Sequence, residues 1–424
     1  MSRVGTPRTT GGVAVATAPN GYPGPVPAPG PTALPIVQFH AAADTIDLGW
    51  GHPHPAALPV DGWAEATHSA LRRYGGAMLT YGHAPGPGPL IEWLCHRLAE
   101  VDAVAPDPAQ LFVTAGASHA LELVTSLLCR PGDVVLVDSP TYHLALRVIA
   151  DHRVDIVPAP TGADGIDPAA TADLVRALLR QGRRVPMLYL VPTFNNPTGR
   201  CLPPAVRADL VESARRTGVT LVEDDTYREL AYSAPAPPSL FSLAETGTVV
   251  RIGSFAKSVA PGLRLGWVTA ATPVVRALTA RGYVDSGGGV NHASALALAE
   301  FAALGLYQRH VEALRARYRG QRDALVAAVR RQLPQAEFTV PAGGWFLWLR
   351  LPEEAAGTRL LPYARRAGVS YLPGRQFHVA DTGHRYLRLS FSFFDPETLA
   401  EGARRLGAAY RDARLAAPHP PTRP

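Results

Sequence analysis

A single lysine, Lys257, stands among the 41 lysine and arginine residues of this 424-residue chain. Arginine carries every other long positive charge. A guanidinium keeps its proton at any ordinary pH, whereas an ε-amine with a lowered pKa loses it and attacks a carbonyl carbon. Lys257 lies in Ser254-Phe255-Ala256-Lys257 and is followed by Pro261-Gly262-Leu263-Arg264-Leu265-Gly266-Trp267. Its type and setting suit a Schiff-base nucleophile. Codon bias alone would also leave one lysine, so other residues must decide.

Such a residue needs elements that hold it. Apolar runs of strand length at 111–113, 134–137, 187–191, 219–222, 249–252 and 265–270 alternate with helical patterns such as 120–129 and 204–216. That rhythm predicts an α/β domain with a mainly parallel mixed sheet flanked by helices. From about residue 291 a long amphipathic helix over 306–332 leads into short strands at 345–350 and 386–391, a smaller α+β domain. The expected organisation is a Pro/Gly-rich disordered arm at 1–35, a segment 36–70 joining the small domain, a large domain over 71–290, the small domain over 291–415 and a disordered tail at 416–424.

Four motifs fall at the carboxyl ends of the predicted strands, where open α/β sheets hold ligands. Thr114-Ala115-Gly116-Ala117-Ser118-His119 enters a helix and offers backbone N–H groups to an anion. Asp138-Ser139-Pro140-Thr141-Tyr142 puts an aromatic ring on a loop. Asn195-Asn196-Pro197-Thr198-Gly199 places an amide donor on a fixed turn. Glu223-Asp224-Asp225-Thr226-Tyr227 sets successive carboxylates at a strand end, suited to a metal or to a protonated ring nitrogen. The metal reading lacks His or Cys ligands at useful spacing. Each motif alone is ordinary turn chemistry. Together with Lys257 they ask for one ligand with a phosphate, a flat ring, a phenolic oxygen, a basic ring nitrogen and an aldehyde. Pyridoxal 5′-phosphate has all five.

On these motifs the chain resembles the fold-type I class I/II aminotransferase family, and within it the branch of 2-aminoadipate and kynurenine aminotransferases, from about residue 46 to 410. The resemblance implies that Lys257 forms the Schiff base, that Asp224 pairs with the pyridine nitrogen and that Tyr142 stacks on the ring. It implies Asn196 and Tyr227 at the ring 3′-oxygen. Ala117, Ser118, Ser254 and Arg264 would hold the phosphate, with Tyr81 reaching the phosphate of a neighbouring subunit in a homodimer. Arg388 would grip the substrate α-carboxylate, beside Gly51. Without the resemblance, Arg388 in 386–391 would read equally well as a surface residue of an edge strand. The expected reaction transfers the amino group of an L-amino acid to a 2-oxo acid, with 2-oxoglutarate the usual acceptor. An alternative keeps the cofactor but performs elimination, γ-replacement or cyclisation, for example of S-adenosylmethionine. A transcription regulator is set aside, because the arm shows no helical pattern for a DNA-binding module.

Departures from the family pattern bear on the pocket. Ala256 replaces a common hydroxyl residue before the lysine, His119 is expected to cap a helix, Glu92 to lie on the surface, and 286–289 (Ser-Gly-Gly-Gly) to widen the mouth or act as a hinge. His52, His54 and His83 fall near the expected entrance. A net charge of +6 with dispersed arginines argues against a nucleic-acid surface. Cys95, Cys129 and Cys201 form no disulfide or metal spacing, and no apolar run spans a membrane, which points to the cytoplasm.

Overall fold

A computed structural model describes residues 44–244, 247–287, 289–352 and 356–416. The predicted arm, all but the first residue of the predicted tail, and Gly288 of the small-residue run lie outside the described residues.

The main sheet has seven strands: β1 (Leu111–Thr114), β2 (Val134–Val137), β3 (Asp155–Pro158), β4 (Met187–Leu190), β5 (Thr220–Asp224), β6 (Val249–Ser254) and β7 (Gly266–Thr269). Their order is β1-β7-β6-β5-β4-β2-β3. β7 runs antiparallel to both its neighbours, while the pairings from β6 across to β3 are parallel. The reason lies in chain length: 255–265 is too short for a crossover helix, so β6 must turn back on itself. That turn carries Lys257, a 3-10 turn at Pro261–Leu263, and Arg264 in the left-handed region at φ 49°. β3 was not legible as a strand, since its ends are exposed and its run opens on Asp155.

Both faces of the sheet are covered, which explains the unbroken apolar runs. Val135, Val137, Met187 and Val222 pack to one side, and Val134, Leu136, Leu188 and Leu221 to the other. Leu136 is fully buried, and Leu136→Ala would cost about 2–5 kcal/mol through lost transfer energy and the cavity left behind. Helix α1 (Ala117–Leu128) begins three residues earlier than its apolar pattern suggests, so Ala117, Ser118 and His119 form its first turn.

A second sheet holds β8 (Phe346–Arg350), β9 (Leu372–Pro373) and β10 (Tyr386–Ser390), in the order β8-β10-β9. Helix α2 (Leu306–Gln332) has the predicted bounds. Its Tyr307 and Val311 pack with Phe255 and Val259 of the Lys257 turn, while Leu314, Tyr318, Leu325 and Val329 join Leu347, Leu349, Leu387 and Leu389 of the second sheet. Ile46–Asp47 pairs in parallel with Val369–Ser370. This brings the segment after Asp47 against β10, where Leu48 O accepts from Ser390 N at 2.7 Å.

Candidate active site

Three successive carboxylates at the end of β5 have three different fates. Side chains alternate along a strand, so Glu223 and Asp224 point to opposite faces. Glu223 is fully buried and accepts from the backbone N–H groups of Leu240 (3.0 Å) and Phe241 (3.1 Å). Asp225 is bound by Arg251 (2.7 Å) and Arg228 (2.5 Å), and Asp102 joins the same buried ion cluster. Asp224 accepts only from neutral donors among the described residues. Thr226 donates to Oδ1 through its hydroxyl (2.6 Å) and its N–H (3.2 Å), and the Tyr189 hydroxyl donates to Oδ2 (2.8 Å). Burial, opposed by these donors, raises the Asp224 pKa. A buried carboxylate held by neutral groups is suited to a cationic partner.

Lys257 is half-buried, with Nζ 3.5 Å from Gly51 O and 4.5 Å from the centroid of the Trp345 ring. Burial, then the positive charge of Arg388, lowers its pKa to about 8, against the opposing pull of Asp224. The amine is therefore able to gain or lose a proton near neutral pH.

Arg388 on β10 is 2 % exposed, which removes the edge-strand reading. Nη1 donates to Asn196 Oδ1 (2.7 Å) and Nη2 to Gly49 O (2.5 Å). Its guanidinium lies 3.9 Å from the Phe346 ring centroid and 4.9 Å from that of Phe377. Nε is buried without a hydrogen-bond partner among the described residues. Burial lowers the Arg388 pKa to about 10, so it remains charged at neutral pH. The structure thus sets the Gly49 carbonyl on Arg388 and the Gly51 carbonyl on Lys257. Gly51 admits no side chain, since a Cβ there would come 2.6 Å from Phe346 Cζ.

The other predicted residues gather around these three. Asn196 is buried, and the hydrogen bond from Arg388 orients its amide so that Nδ2 remains a donor. Tyr227, also buried, lies edge-on to Trp345 and Phe346 and is hydrogen-bonded to Asn196. Tyr142 is half-buried within reach of the charges of Asp224, Arg388 and Arg264. At the far end, Gly116 precedes α1 with no side-chain cap, so the first N–H groups of the helix face outward beside exposed Ser118. Arg264 donates to Ala115 O (3.3 Å) and covers Gly116, whose Cβ would meet Nη2 at 2.7 Å. Ser254 Oγ accepts from Ala256 N (3.2 Å) on the adjoining turn. A helix start without a side-chain cap, beside an arginine, has the chemistry to take an anion such as phosphate.

The histidines divide. His119 Nδ1 accepts from Ala115 N (3.0 Å), a first-turn side chain bonding back to the chain entering the helix. His54 Nδ1 likewise accepts from Ala56 N (3.0 Å) at a short 3-10 turn. His83 and Glu92 are exposed. His52 is close enough to Lys257, Asp47 and Arg388 to feel their charges, and burial lowers its pKa. Tyr81 is 81 % exposed and takes no part in this chain's own site.

Reading the sequence missed Tyr189, Thr226, Gly49 and Trp345 as neighbours of the site. A polar-tipped aromatic in the otherwise apolar run of β4 was the available signal for Tyr189. Asp138 also lies behind the site, with Oδ2 accepting from Asn195 Nδ2 (3.1 Å) and Val191 N (3.2 Å). Burial pushes its pKa up to about 7. Taken together, an anion seat, a buried carboxylate without a cation and an amine of lowered pKa fit pyridoxal phosphate.

Comparison with known proteins agrees. Residues 43–406 match the family described as aminotransferase class I and II, and the chain belongs to that family. The "Aromatic-amino-acid aminotransferase 1" of Thermococcus litoralis is 30% identical over 379 residues, covering 89% of this chain and 90% of that protein. The "2-aminoadipate transaminase" of Thermus thermophilus is 32% identical over 372 residues, covering 86% and 90%. The crystal structure of Pyrococcus horikoshii kynurenine aminotransferase superposes with a TM-score of 0.83 at 29% identity, covering 88% of this chain and 92% of that one. The fold is that of fold-type I aminotransferases, the cofactor is pyridoxal 5′-phosphate and the enzyme is a transferase. The elimination and cyclisation alternative is not favoured by these relatives.

Proposed function

We propose that the enzyme takes the amino group from an L-amino acid and passes it to 2-oxoglutarate, with Lys257, Asp224 and Tyr142 acting at the cofactor and Arg388, Gly51 and Asn196 binding the substrate. The observation that carries this reading is the fate of the three carboxylates: Glu223 and Asp225 are engaged, and Asp224 is held by neutral donors within reach of the Lys257 charge. Bound at this site, pyridoxal phosphate supplies an aldehyde and a ring that accepts electrons. Asp224 would offer its negative charge to the ring nitrogen. Lys257 Nζ would take the proton from the substrate Cα and pass it on rather than return it there, which its pKa of about 8 suits. Arg388 binds both oxygens of the α-carboxylate with its planar fork, steadied by Asn196 and Gly49. The Ala117 N–H, Ser118, Ser254 and Arg264 would hold the phosphate, Tyr142 would cover the ring, and Asn196 and Tyr227 would serve its 3′-oxygen.

The same reading makes the enzyme a cytoplasmic homodimer with shared sites. Tyr81, Leu79 and Tyr283 are 81%, 75% and 70% exposed, large apolar side chains whose exposure supports a second copy. No helix among the described residues is long and apolar enough to cross a membrane. The two sheets support a large domain over 71–290 and a small one over 291–415, although Ala295, Leu298, Phe301, Tyr307 and Val311 pack in the core of the large sheet; of the joining segment 36–70, residues 44–70 are described.

The test is an absorbance spectrum of the loaded enzyme with single L-amino acids and no oxo acid. Loss of the lysine-bound cofactor band, restored by 2-oxoglutarate, is expected. A product released while the band persists, with S-adenosylmethionine or another amino acid, would overturn transamination.

A further inference from the structure

We propose that Trp345 is a positioning residue for Lys257: its indole face and the Gly51 carbonyl form a dock that receives the lysine's amine, and steadies it once protonated, when the amine is not joined to the cofactor. This rests on the reading of Lys257 as the cofactor-bearing amine, and it names where that amine goes when free. Nζ lies 4.5 Å from the centroid of the Trp345 ring and 3.5 Å from Gly51 O. Both the π face and the carbonyl oxygen attract positive charge.

Neither half of the dock is free to move away. Trp345 is fully buried, with Tyr227 and Tyr318 edge-on to it at centroid distances of 5.9 and 5.6 Å, so its face is fixed toward Nζ. Gly51 runs against the Phe346 ring so closely that a Cβ would come within 2.6 Å of it. Adjacent residues, Trp345 and Phe346, therefore serve the two halves. One presents the ring, and the other sets the path of the carbonyl.

The charged surroundings make such a dock consequential. Arg388 and Arg264 repel an ammonium here, Asp224 attracts it, and His52 lies near enough to couple with it. Burial also favours the neutral amine. The ring and the carbonyl offset part of this, so that the free amine remains at one place and protonates near neutral pH.

Because Lys257 is the only lysine, ε-13C-lysine labelling gives one resonance from the whole chain. The measurement uses the full-length enzyme loaded with pyridoxamine phosphate, in which the lysine amine is free. In the wild type the ε protons should be shifted upfield by the indole ring current. In Trp345→Leu that shift should vanish and the amine pKa should fall by about one unit, the size of a desolvated cation–π contact. Trp345→Phe, which keeps a smaller ring, should fall between the two and covers the case in which the leucine variant does not fold. An ε resonance at the position of an ordinary solvated lysine in the wild type, or an unchanged or higher pKa in Trp345→Leu, overturns the dock. Borohydride reduction of the pyridoxal phosphate-loaded enzyme, followed by peptide mass spectrometry, tests the underlying reading separately. An adduct on Lys257 supports that reading, and a reduced cofactor without one refutes it.

Discussion

The Tyr189 hydroxyl on β4 donates a 2.8 Å hydrogen bond to Oδ2 of Asp224 on the neighbouring strand β5. The sheet register pairs Tyr189 with Val222, two residues before Asp224 and on the same face. The contact is therefore set by parallel pairing of two strands far apart in sequence, and with Thr226 on Oδ1 it fixes the orientation of the carboxylate.

Tyr189→Phe removes this donor while keeping the ring in the core. A hydrogen bond to a carboxylate stabilises its charged form, so its loss should raise the Asp224 pKa and move the acid limb of the kcat profile to higher pH. We expect kcat to fall about 10-fold with KM changed less than about 2-fold, since the contact acts on chemistry more than on substrate binding. A pH profile that superposes on the wild type would remove Tyr189 from the site's machinery.

Lys257→Ala should abolish covalent retention of the cofactor and lower kcat by on the order of 10³-fold or more, the scale of a lost acid–base group. Lys257→Arg should fare no better, because a guanidinium restores the charge and not a proton acceptor near pH 8. Mass spectrometry after borohydride treatment reads the first effect and single-turnover kinetics the second. Exogenous methylamine should restore part of the rate in Lys257→Ala if the amine's role is proton transfer.

Arg388→Lys retains the charge and loses the planar fork. Asn196 and Gly49 O would then compete for one ammonium, and the stack on Phe346 would be weakened. KM for the amino acid should rise by about 10- to 100-fold, equivalent to one or two charge-assisted hydrogen bonds. The cofactor dissociation constant should stay within about 2-fold, and a matching loss of cofactor affinity would contradict a role confined to the substrate carboxylate.

Asp138 makes stability depend on pH. Its carboxyl has an ordinary pKa of 3.8 and is pushed up to about 7 by burial in the folded chain. Between these values the folded state binds the proton that the unfolded state has released, so folding is most favoured by this group below about pH 4. That contribution declines as pH rises to about 7 and is lost above it. Asp138→Asn keeps an acceptor for Asn195 and Val191 and cannot ionise. Thermal melts between pH 5 and 8 should therefore fall less steeply with pH in the variant. Parallel slopes would mean that Asp138 is ionised in the native state throughout this range.

Much of this enzyme was legible in one dimension. Apolar runs buried on both faces mark the parallel strands, and the 3.6-residue pattern of 306–332 marked α2, because burial imposes those periods locally. The solitary lysine and the four strand-end motifs pointed to the cofactor, since a phosphate, a ring nitrogen and an aldehyde each need a distinct residue type. Sequence could not say which of Glu223, Asp224 and Asp225 is left without a cation. That depends on where Arg251, Arg228 and the N–H groups of Leu240 and Phe241 arrive from other elements. Nor could it choose between a surface Arg388 and one buried against Phe346, or place Gly49 and Gly51 on two different cations. Residue types and local periodicity are properties of a short stretch of chain. Charge pairing and burial are decided by partners beyond the local stretch, up to 339 residues away, and only the assembled sheets bring them together.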